Sequence, residues 1–397
     1  MKRLAISLLL LLSTLAVTFV RAEAQTYSVL YTFKGTFGRH HGASPTGGLT
    51  LGGSGSLFGT TSNGGAFLSG TVFKLTANGK EEVLYSFTGG SDGESPQAGL
   101  IRDRAGNLYG ATFAGGDAAG CGGLGCGTVF KLDKDGVLTV LHTFTDLPDG
   151  ARPFAGLIQD KLGNLYGTTL EGGMYHGGTI FKIDPSGNET VLYSFTGGKD
   201  GAVLYSGVVT DKKHNLYGTT FTRGSHNDGT VFKLDTAGVL TVLHSFKGSD
   251  GRKPMASLVR DQAGNFYGTT AAGGTDDAGT VFKIHGHSYS VLHNFSANDG
   301  SDGSDPVPAV VLDGSGNLYG TTMFGGTDNI GTVFKLDANG AFTLLHSFGG
   351  PDGASPSAPL IVDASGNLYG TTYSGGDVNV CPGVGGSGCG VVFKIAP

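Results

Sequence analysis

The chain has 397 residues, among them 73 glycines, 24 phenylalanines and 14 tyrosines. Glycine so far above its usual share of about 7%, accompanied by aromatic residues, is typical of many short strands joined by tight turns and argues against disorder. The net charge of -6 lacks the basic footprint of a nucleic-acid-binding protein, so we expect no nucleic acid among its partners.

Residues 1–24 have the pattern of an export signal. Two basic residues precede an apolar run over 4–20, and a small-x-small cleavage site follows at 22–24. We expect cleavage before Gln25, a secreted or periplasmic protein, and no membrane span in the mature chain. The mature charge would be -8, because residues 1–24 carry three basic side chains and one acidic one. A retained N-terminal anchor is the alternative, although the apolar run is shorter than the roughly 20 residues that a spanning helix needs.

Four short segments, which we name a, b, c and d, recur along the rest of the chain. A d segment of the VLYSF or VLHSF type begins at Val29, Val83, Val140, Val191, Val242, Val291 and Leu344. A c segment of the GTVFKL type begins at Gly70, Gly127, Gly178, Gly229, Gly279, Gly331 and Gly390. A b segment of the NLYGTT type precedes each c segment, and a short apolar a segment ending near Asp precedes each b segment. All are β-branched or aromatic and bounded by Gly, Asp or Asn, so we expect strands of 5–7 residues.

Four strands in about 50 residues, repeated seven times, match the period of a β-propeller. The mature chain starts with a d-type strand over 27–33 and ends with a c-type strand over 391–395. The last repeat therefore lacks its own d strand, and pairing the two ends would remove two exposed edges. We predict an all-β, seven-bladed β-propeller with four-stranded antiparallel blades over 25–397, a single domain whose seventh blade is closed by the N-terminal strand.

Two regular patterns predict structure rather than chemistry. Strand d carries His or Tyr at one position in every repeat, and strand c carries Lys. A residue type repeated in every blade indicates a packing or surface ladder, because active sites break symmetry. The glycine inside strand b, as at Gly110, Gly167 and Gly218, is expected to allow close approach of a neighbouring aromatic ring.

The four cysteines form two close pairs, Cys121 with Cys126 and Cys381 with Cys389. In an exported protein each pair predicts a local disulfide. A single metal site built from all four thiolates is the alternative, and the separation of the pairs between repeats 2 and 7 argues against it.

The b–c and d–a loops share one face and carry most of the sequence variation, which favours function on that face. Unconstrained drift of these loops is the alternative. The candidate ligand-binding residues there are Glu171, Tyr175, His176, His226, Asp228, Asp276, Asp277, Phe324, Asp328 and Asn329. Among them Glu171, His176, His226 and Asp228 could form a metal site or an acid/base cluster, or be solvated loop residues. The acidic run Asp299–Asp305 could hold Ca²⁺ or form ordinary turns. We predict no catalytic residue, no cofactor and no metal.

The combination of GNLYGTT, GG, GTVFKL and TVLHSF, nearly complete over 164–195, resembles the Gloeo/Verruco (GloVer) tandem repeat of bacterial extracellular proteins. The resemblance spans about residues 27–395. It implies export, often with a C-terminal sorting anchor, and it brings no catalytic residues. Because the sequence ends at Ile395-Ala396-Pro397, we expect no such anchor here. The blade also looks like NHL-type propellers, which bind proteins, sugars or nucleic acid.

We therefore expect a monomeric, non-catalytic extracellular binding or scaffold propeller for a glycan or protein ligand. Two other interpretations stay open. One is an extracellular lyase or hydrolase acting on polysaccharide or peptide at the variable-loop face, and the other is a structural component of the cell envelope.

Overall fold

The computed structural model describes residues 25–35, 41–117, 119–296, 300–381 and 387–397. These residues form seven four-stranded antiparallel sheets, arranged as the blades of a ring, and contain no α-helix. The predicted all-β, seven-bladed propeller is confirmed. The proposed export signal, residues 1–24, lies outside the described residues.

Each blade contributes its strands in chain order from the axis outward. Blades 1 and 2 contain β3 (Thr50–Leu51), β4 (Leu57–Thr61), β6 (Thr71–Leu75), β7 (Glu81–Ser86), β8 (Ile101–Arg102), β9 (Leu108–Thr112), β10 (Thr128–Leu132) and β11 (Leu138–Thr143). Blades 3 and 4 contain β12 (Ile158–Gln159), β13 (Leu165–Thr169), β14 (Thr179–Ile183), β15 (Glu189–Ser194), β16 (Val209–Thr210), β17 (Leu216–Thr220), β18 (Thr230–Leu234) and β19 (Leu240–Ser245).

The remaining three blades follow the same order. Blades 5 and 6 contain β20 (Val259–Arg260), β21 (Phe266–Thr270), β22 (Thr280–His285), β23 (Ser288–Asn294), β24 (Val311–Leu312), β25 (Leu318–Thr322), β26 (Thr332–Leu336) and β27 (Phe342–Ser347). Blade 7 contains β28 (Ile361–Val362), β29 (Leu368–Thr371), β30 (Val391–Ala396) and β1 (Thr26–Thr32). A short pair, β2 (Gly42–Ala43) with β5 (Asn63–Gly64), and two single 3₁₀ turns, Gly53–Gly55 and Cys121–Gly123, lie in the loops.

The N-terminal strand closes the ring as predicted. Strand β1 pairs antiparallel with β30, with Tyr27 opposite Ile395. Directly after β1, the backbone N–H of Phe33 donates to the Gly390 carbonyl at 3.0 Å, and the Phe33 side chain is fully buried. The seventh blade is therefore completed by residues about 360 positions away in the sequence.

The innermost strand of each blade contains only two residues, whereas 5–7 were predicted. The segments that precede them crowd together around the axis: a Cβ atom on Gly99 would lie 2.9 Å from the Gly48 carbonyl oxygen of the neighbouring blade. In addition, a threonine hydroxyl of the second strand donates to a carbonyl of the next blade in blades 1, 3, 4 and 5, as Thr168 Oγ1 does to the Ser206 carbonyl at 2.7 Å. The equivalent hydroxyls of Thr321 and Thr371 in blades 6 and 7 have no hydrogen-bond partner among the described residues. Contacts between blades thus replace pairing within the blade at this point.

The core consists of one aromatic contact repeated at every blade junction. A phenylalanine just after the outermost strand meets, edge to face, the phenylalanine of the third strand in the next blade. The seven pairs have ring centroids 5.1–5.4 Å apart and are Phe33–Phe73, Phe87–Phe130, Phe144–Phe181, Phe195–Phe232, Phe246–Phe282, Phe295–Phe334 and Phe348–Phe393. The strand-b glycine makes room for the second ring: a Cβ atom on Gly110 would lie 2.7 Å from Phe130 Cζ. The predicted role of that glycine is confirmed.

Blade 2 has no threonine at the position that makes this hydroxyl bond between blades, and this leads to a first prediction. Ala111 occupies the position of Thr168, and the equivalent acceptor is the carbonyl of Ala155. We expect Ala111→Thr to raise the free energy of unfolding by about 1 kcal/mol, the usual net contribution of a hydrogen bond, as measured by urea denaturation. Thr168→Ala is the matched control and should lower it by a similar amount; a destabilised Ala111→Thr protein would contradict the bond.

Candidate functional site

The b–c and d–a loops lie on the same face of the ring, which we call the loop face. In every blade the two loops of the same blade bridge to each other, through β2 and β5 in blade 1 and through isolated bridges in the other six, as Ala151 does with Glu171 and Ser304 with Phe324. The opposite face carries the a–b and c–d turns. There Asp103, for example, accepts bonds from the backbone N–H and side-chain amide of Asn107 at 2.9 and 2.7 Å. Burial alone would raise the pKa of Asp103, but these hydrogen bonds stabilise the charged carboxylate and the pKa is lowered overall.

The His/Tyr ladder of strand d proves to be structural. Six of its seven side chains reach an aspartate of the following d–a loop, in the pairs Tyr85–Asp92, His142–Asp149, Tyr193–Asp200, His244–Asp250, His293–Asp302 and His346–Asp352. The seventh, Tyr31, donates instead to Glu81 Oε2 at 2.6 Å. Three histidines also stack on an aromatic ring of the next blade, with centroids 3.8–4.4 Å apart, namely His244, His293 and His346. Burial lowers the pKa of these three imidazoles, although the aspartates oppose it, so the rings are neutral near pH 7 and pack the outer rim.

One residue in each d–a loop fastens its blade to the previous one. We call these seven residues the clasp ring: Ser44, Ser95, Arg152, Val203, Lys253, Asp305 and Ser355. Each has a positive φ of 50–63°. Its N–H donates to a carbonyl in the preceding blade's b–c loop, as Lys253 does to Asp228 at 3.0 Å, and its own carbonyl accepts from the residue after strand b. The backbone is therefore the same in all blades, whereas the side chain differs.

Both predicted disulfides are present, and both lie beside the clasp ring. Cys121–Cys126 and Cys381–Cys389 fix the ends of the two longest b–c loops, those of blades 2 and 7. The carbonyls of Cys126 and Cys389 are the clasp acceptors for Arg152 and Ser44. The disulfides thus hold the long loops at the point where the blades join.

Two residues beyond each clasp residue lies a second variable ring, which we call the mouth ring: Thr46, Gln97, Phe154, Tyr205, Met255, Val307 and Ser357. All seven are half-buried and line one cavity of about 270 Å³. Because every blade contributes, this cavity lies on the axis of the propeller. Blades 7, 1 and 2 supply hydroxyl or amide groups, and blades 3–6 supply aromatic or aliphatic ones. The cavity therefore has a polar arc facing an apolar arc.

The apolar arc continues outward as four aromatic rings in edge-to-face contact, the aromatic crescent. Phe113 and Phe221, at the starts of b–c loops, flank Phe154 and Tyr205 of the mouth ring. The centroid distances along the crescent are 6.3, 5.1 and 5.0 Å. Burial, and secondarily the charge of Glu171, raise the pKa of Tyr205, so its hydroxyl is neutral and can donate a hydrogen bond.

Two cations stand over the ends of the crescent. The guanidinium of Arg152 lies 5.6 Å from the Phe113 centroid, and the ammonium of Lys253 lies 5.8 Å from the Phe221 centroid. These distances are typical of cation–π contacts. Arg152 also approaches Glu171, with 3.4 Å between Nη1 and Oε2. Both cations belong to the clasp ring, so a fixed backbone presents them.

A second pocket of about 460 Å³ adjoins the axial cavity at Met255. Lys253, Asp277 and Asp305 line it. Burial raises the pKa of Asp305, and Lys253 opposes that effect. Asp277 is held differently: it accepts from Arg252 Nε at 2.8 Å, which lowers its pKa.

The ten predicted site residues are placed unevenly around these features. Glu171 lies beside the crescent and Asp277 lines the second pocket. Asp228 supplies a backbone clasp acceptor, and Asn329 Oδ1 accepts from the Gly325 N–H at 2.9 Å. Asp276 is half-buried in the b–c loop of blade 5. The other five are exposed on b–c loops, namely Tyr175, His176, His226, Phe324 and Asp328.

Two members of the proposed cluster of Glu171, His176, His226 and Asp228 have ionic partners outside it. Glu171 meets Arg152, whereas His176 Nδ1 lies 3.8 Å from Asp146. Within the described ranges, no group of three or more His, Cys, Asp or Glu side chains could hold a metal ion. In the acidic run, Asp299 lies outside the described residues and Asp302 lies 3.0 Å from His293 Nε2.

Sequence reasoning missed the clasp and mouth rings. Their signal was present in the d–a segments, where a proline found in six blades and a leucine found in five flank positions that change from blade to blade. In blade 5, for example, Lys253 and Met255 surround Pro254 and precede Leu258. Variation confined to single positions within a constant frame is easily overlooked beside loops that vary throughout.

Fold and site together define a seven-bladed propeller with one axial cavity on its loop face. The chain belongs to the Gloeobacter/Verrucomicrobia repeat family, whose model matches residues 16–227, 118–302 and 285–397. Among curated proteins, none matches the sequence. No helix among the described residues is long and apolar enough to cross a membrane.

Similar solved structures share the fold at low identity. A streptogramin B lyase has a TM-score of 0.58 and 11% identity, over 94% of this chain and 99% of that one. The extracellular domain of a putative one component system of B. thetaiotaomicron has a TM-score of 0.54 and 12% identity, over 91% and 39%. A putative 6-phosphogluconolactonase of Bacteroides uniformis has a TM-score of 0.52 and 16% identity, over 79% and 88%. At such identities these likenesses concern the fold alone.

Proposed function

We propose that this protein is an exported, non-catalytic binding propeller whose glycan or protein ligand enters the axial cavity from the loop face. One observation carries the proposal: all seven blades keep the same clasp backbone and each contributes a different mouth-ring side chain to the same cavity. Binding sites are concave, mostly apolar and carry a few placed polar groups, and the two arcs have this composition.

The disulfides support export, because such bonds persist in oxidising compartments. The seven equivalent Phe–Phe junctions support a single domain over residues 25–397, since each blade is covered by its two neighbours. Both faces of each blade are thereby buried against neighbouring blades of the same chain, which is consistent with a monomer.

A lyase or hydrolase is the second candidate, and the second pocket favours it. Asp305, whose pKa burial raises, and the Lys253 ammonium line the same pocket, where a carboxylic acid and a cation could act in acid/base chemistry. This candidate makes a distinct prediction, because a binding protein leaves its ligand intact.

The test is retention of the purified, disulfide-bonded protein on cell-envelope material and insoluble polysaccharides, with released sugars and peptides assayed in the same tube. We expect retention without product. Tyr205→Ala should weaken retention about tenfold or more, as loss of a central aromatic anchor does. Phe67→Ala removes an exposed aromatic side chain of the b–c loop of blade 1 and is the matched control, expected to bind normally.

Two outcomes would overturn the proposal. Soluble product that accumulates with time would make the protein an enzyme, with Lys253 and Asp305 as the first residues to replace. Absence of retention on every material would instead favour the structural envelope component.

A further inference from the structure

The size of the axial cavity limits what can enter it. At about 270 Å³ it lies at the lower end of ligand pockets, which span roughly 300–1,000 Å³. It can hold one ring-sized unit. A longer ligand must therefore leave the rest of its chain outside the cavity, on the loop face.

The two arcs of the cavity match the two aspects of a sugar ring. A pyranose presents C–H groups on its faces and hydroxyls around its edge. Phe154 and Tyr205 offer ring faces, whose negative charge density attracts C–H groups. On the polar arc, Thr46 Oγ1 and Ser357 Oγ have no hydrogen-bond partner among the described residues. Buried hydroxyls are normally satisfied, so a ligand hydroxyl reached by a χ1 rotation would supply the missing bonds.

The charges at the rim favour an acidic ligand. Arg152 is partly neutralised by Glu171, and Arg252 by Asp277. For the Lys253 ammonium, by contrast, no ion pair within 4.0 Å is present among the described residues, although its charge acts at longer range on the carboxylates of Asp305 and Asp277. Lys253 sits between the crescent and the second pocket, where it can reach a carboxylate on a sugar whose ring is in the cavity.

Resting on the proposed function, we infer that the axial cavity binds the terminal uronic acid residue of an acidic polysaccharide. The C–H face of that residue lies on Phe154 and Tyr205, its hydroxyls meet the polar arc, and its carboxylate pairs with Lys253. The next sugars of the chain lie along the aromatic crescent toward Phe113 or Phe221. Recognition is therefore of a chain end, not of an internal segment.

The experiment is calorimetric titration of the purified, disulfide-bonded protein with trigalacturonate and, separately, with neutral maltotriose. We expect trigalacturonate to bind at least about tenfold more tightly, which corresponds to about 1.4 kcal/mol, because only the acidic trimer offers a carboxylate to the Lys253 ammonium. Raising the salt concentration should reduce that preference, since exposed charge pairs are screened.

Variants separate the charge from the aromatic contact. Lys253→Gln should lose the preference for the acidic trimer, so that trigalacturonate and maltotriose bind with similar affinity. Lys199→Gln, which removes an exposed lysine of another d–a loop, is the matched control and should keep the preference. Tyr205→Ala should weaken binding of both sugars. Circular dichroism of each variant checks that the fold is intact.

The outcomes distinguish the two proposals. Equal binding of both trimers, sensitive to Tyr205→Ala, would overturn the acidic preference and leave the binding propeller standing. Absence of binding to either sugar, with retention on envelope protein, would overturn the sugar assignment alone. Cleavage of the bound trigalacturonate would overturn the non-catalytic function. Loss of the acidic preference in Lys253→Gln would still support the uronic acid assignment.

Discussion

Deleting residues 25–33 is expected to abolish cooperative folding. The deletion removes β1 from the seventh blade and also the fully buried Phe33, which fills the junction between blades 7 and 1 against Phe73. Loss of one buried phenylalanine costs about 3–5 kcal/mol, and the unpaired edge of β30 adds to that cost. Because domains are stable by only about 5–15 kcal/mol, thermal unfolding followed by circular dichroism should show no sharp transition.

A circular permutant provides the control. Thr26 lies opposite Ala396, so a short hairpin can join Pro397 to Gln25. New ends would be opened between Lys134 and Asp135, which are exposed in a turn of blade 2. This protein keeps every strand, and we expect a melting temperature close to that of the parent. A deletion variant that melts like the parent would contradict closure by β1.

The sequence predicted the ring because its main determinants are local and repeated. The repeat of about 50 residues alone reveals strand b with its glycine, the Asp-Asn turns and the spare N-terminal d strand. The ladder of strand d was interpreted correctly for the same reason: a side chain found in every blade serves the blade. Periodicity therefore reveals what the seven copies share.

The candidate site depends on what the copies do not share, and on a conformation that local rules disfavour. A residue before proline normally avoids helical conformations and prefers an extended one. Arg152 and Lys253 nevertheless adopt positive φ before Pro153 and Pro254, because the hydrogen bonds between blades hold them there. Residues about 50 positions apart then meet at one axis. The d–a segments show which positions vary, but they contain neither the hydrogen bonds between blades nor the point on the axis where these positions meet. The mouth ring could therefore not be assembled from the sequence.

Phe181→Ala is expected to destabilise the protein by about 3–5 kcal/mol, the usual cost of emptying a fully buried phenylalanine site. Phe181 fills the junction between blades 2 and 3 against Phe144, with centroids 5.1 Å apart, and it also covers Gly167. The cavity left behind would be lined on two blades at once, so neither blade can relax into it alone. Guanidinium denaturation with an unchanged m-value measures the loss.

Gly167→Ala probes the same junction from the other side. Its Cβ would lie 2.5 Å from Phe181 Cζ and 2.8 Å from Leu157 Cδ2, so the single variant should lose about 1–3 kcal/mol through overpacking. In the double variant the added methyl group enters space that Phe181→Ala has emptied. The combined loss should therefore be smaller than the sum of the two single losses by at least about 0.5 kcal/mol. Strictly additive losses would mean that Gly167 is required for its backbone freedom. A smaller combined loss would show that Gly167 is required because the Phe181 ring packs against it.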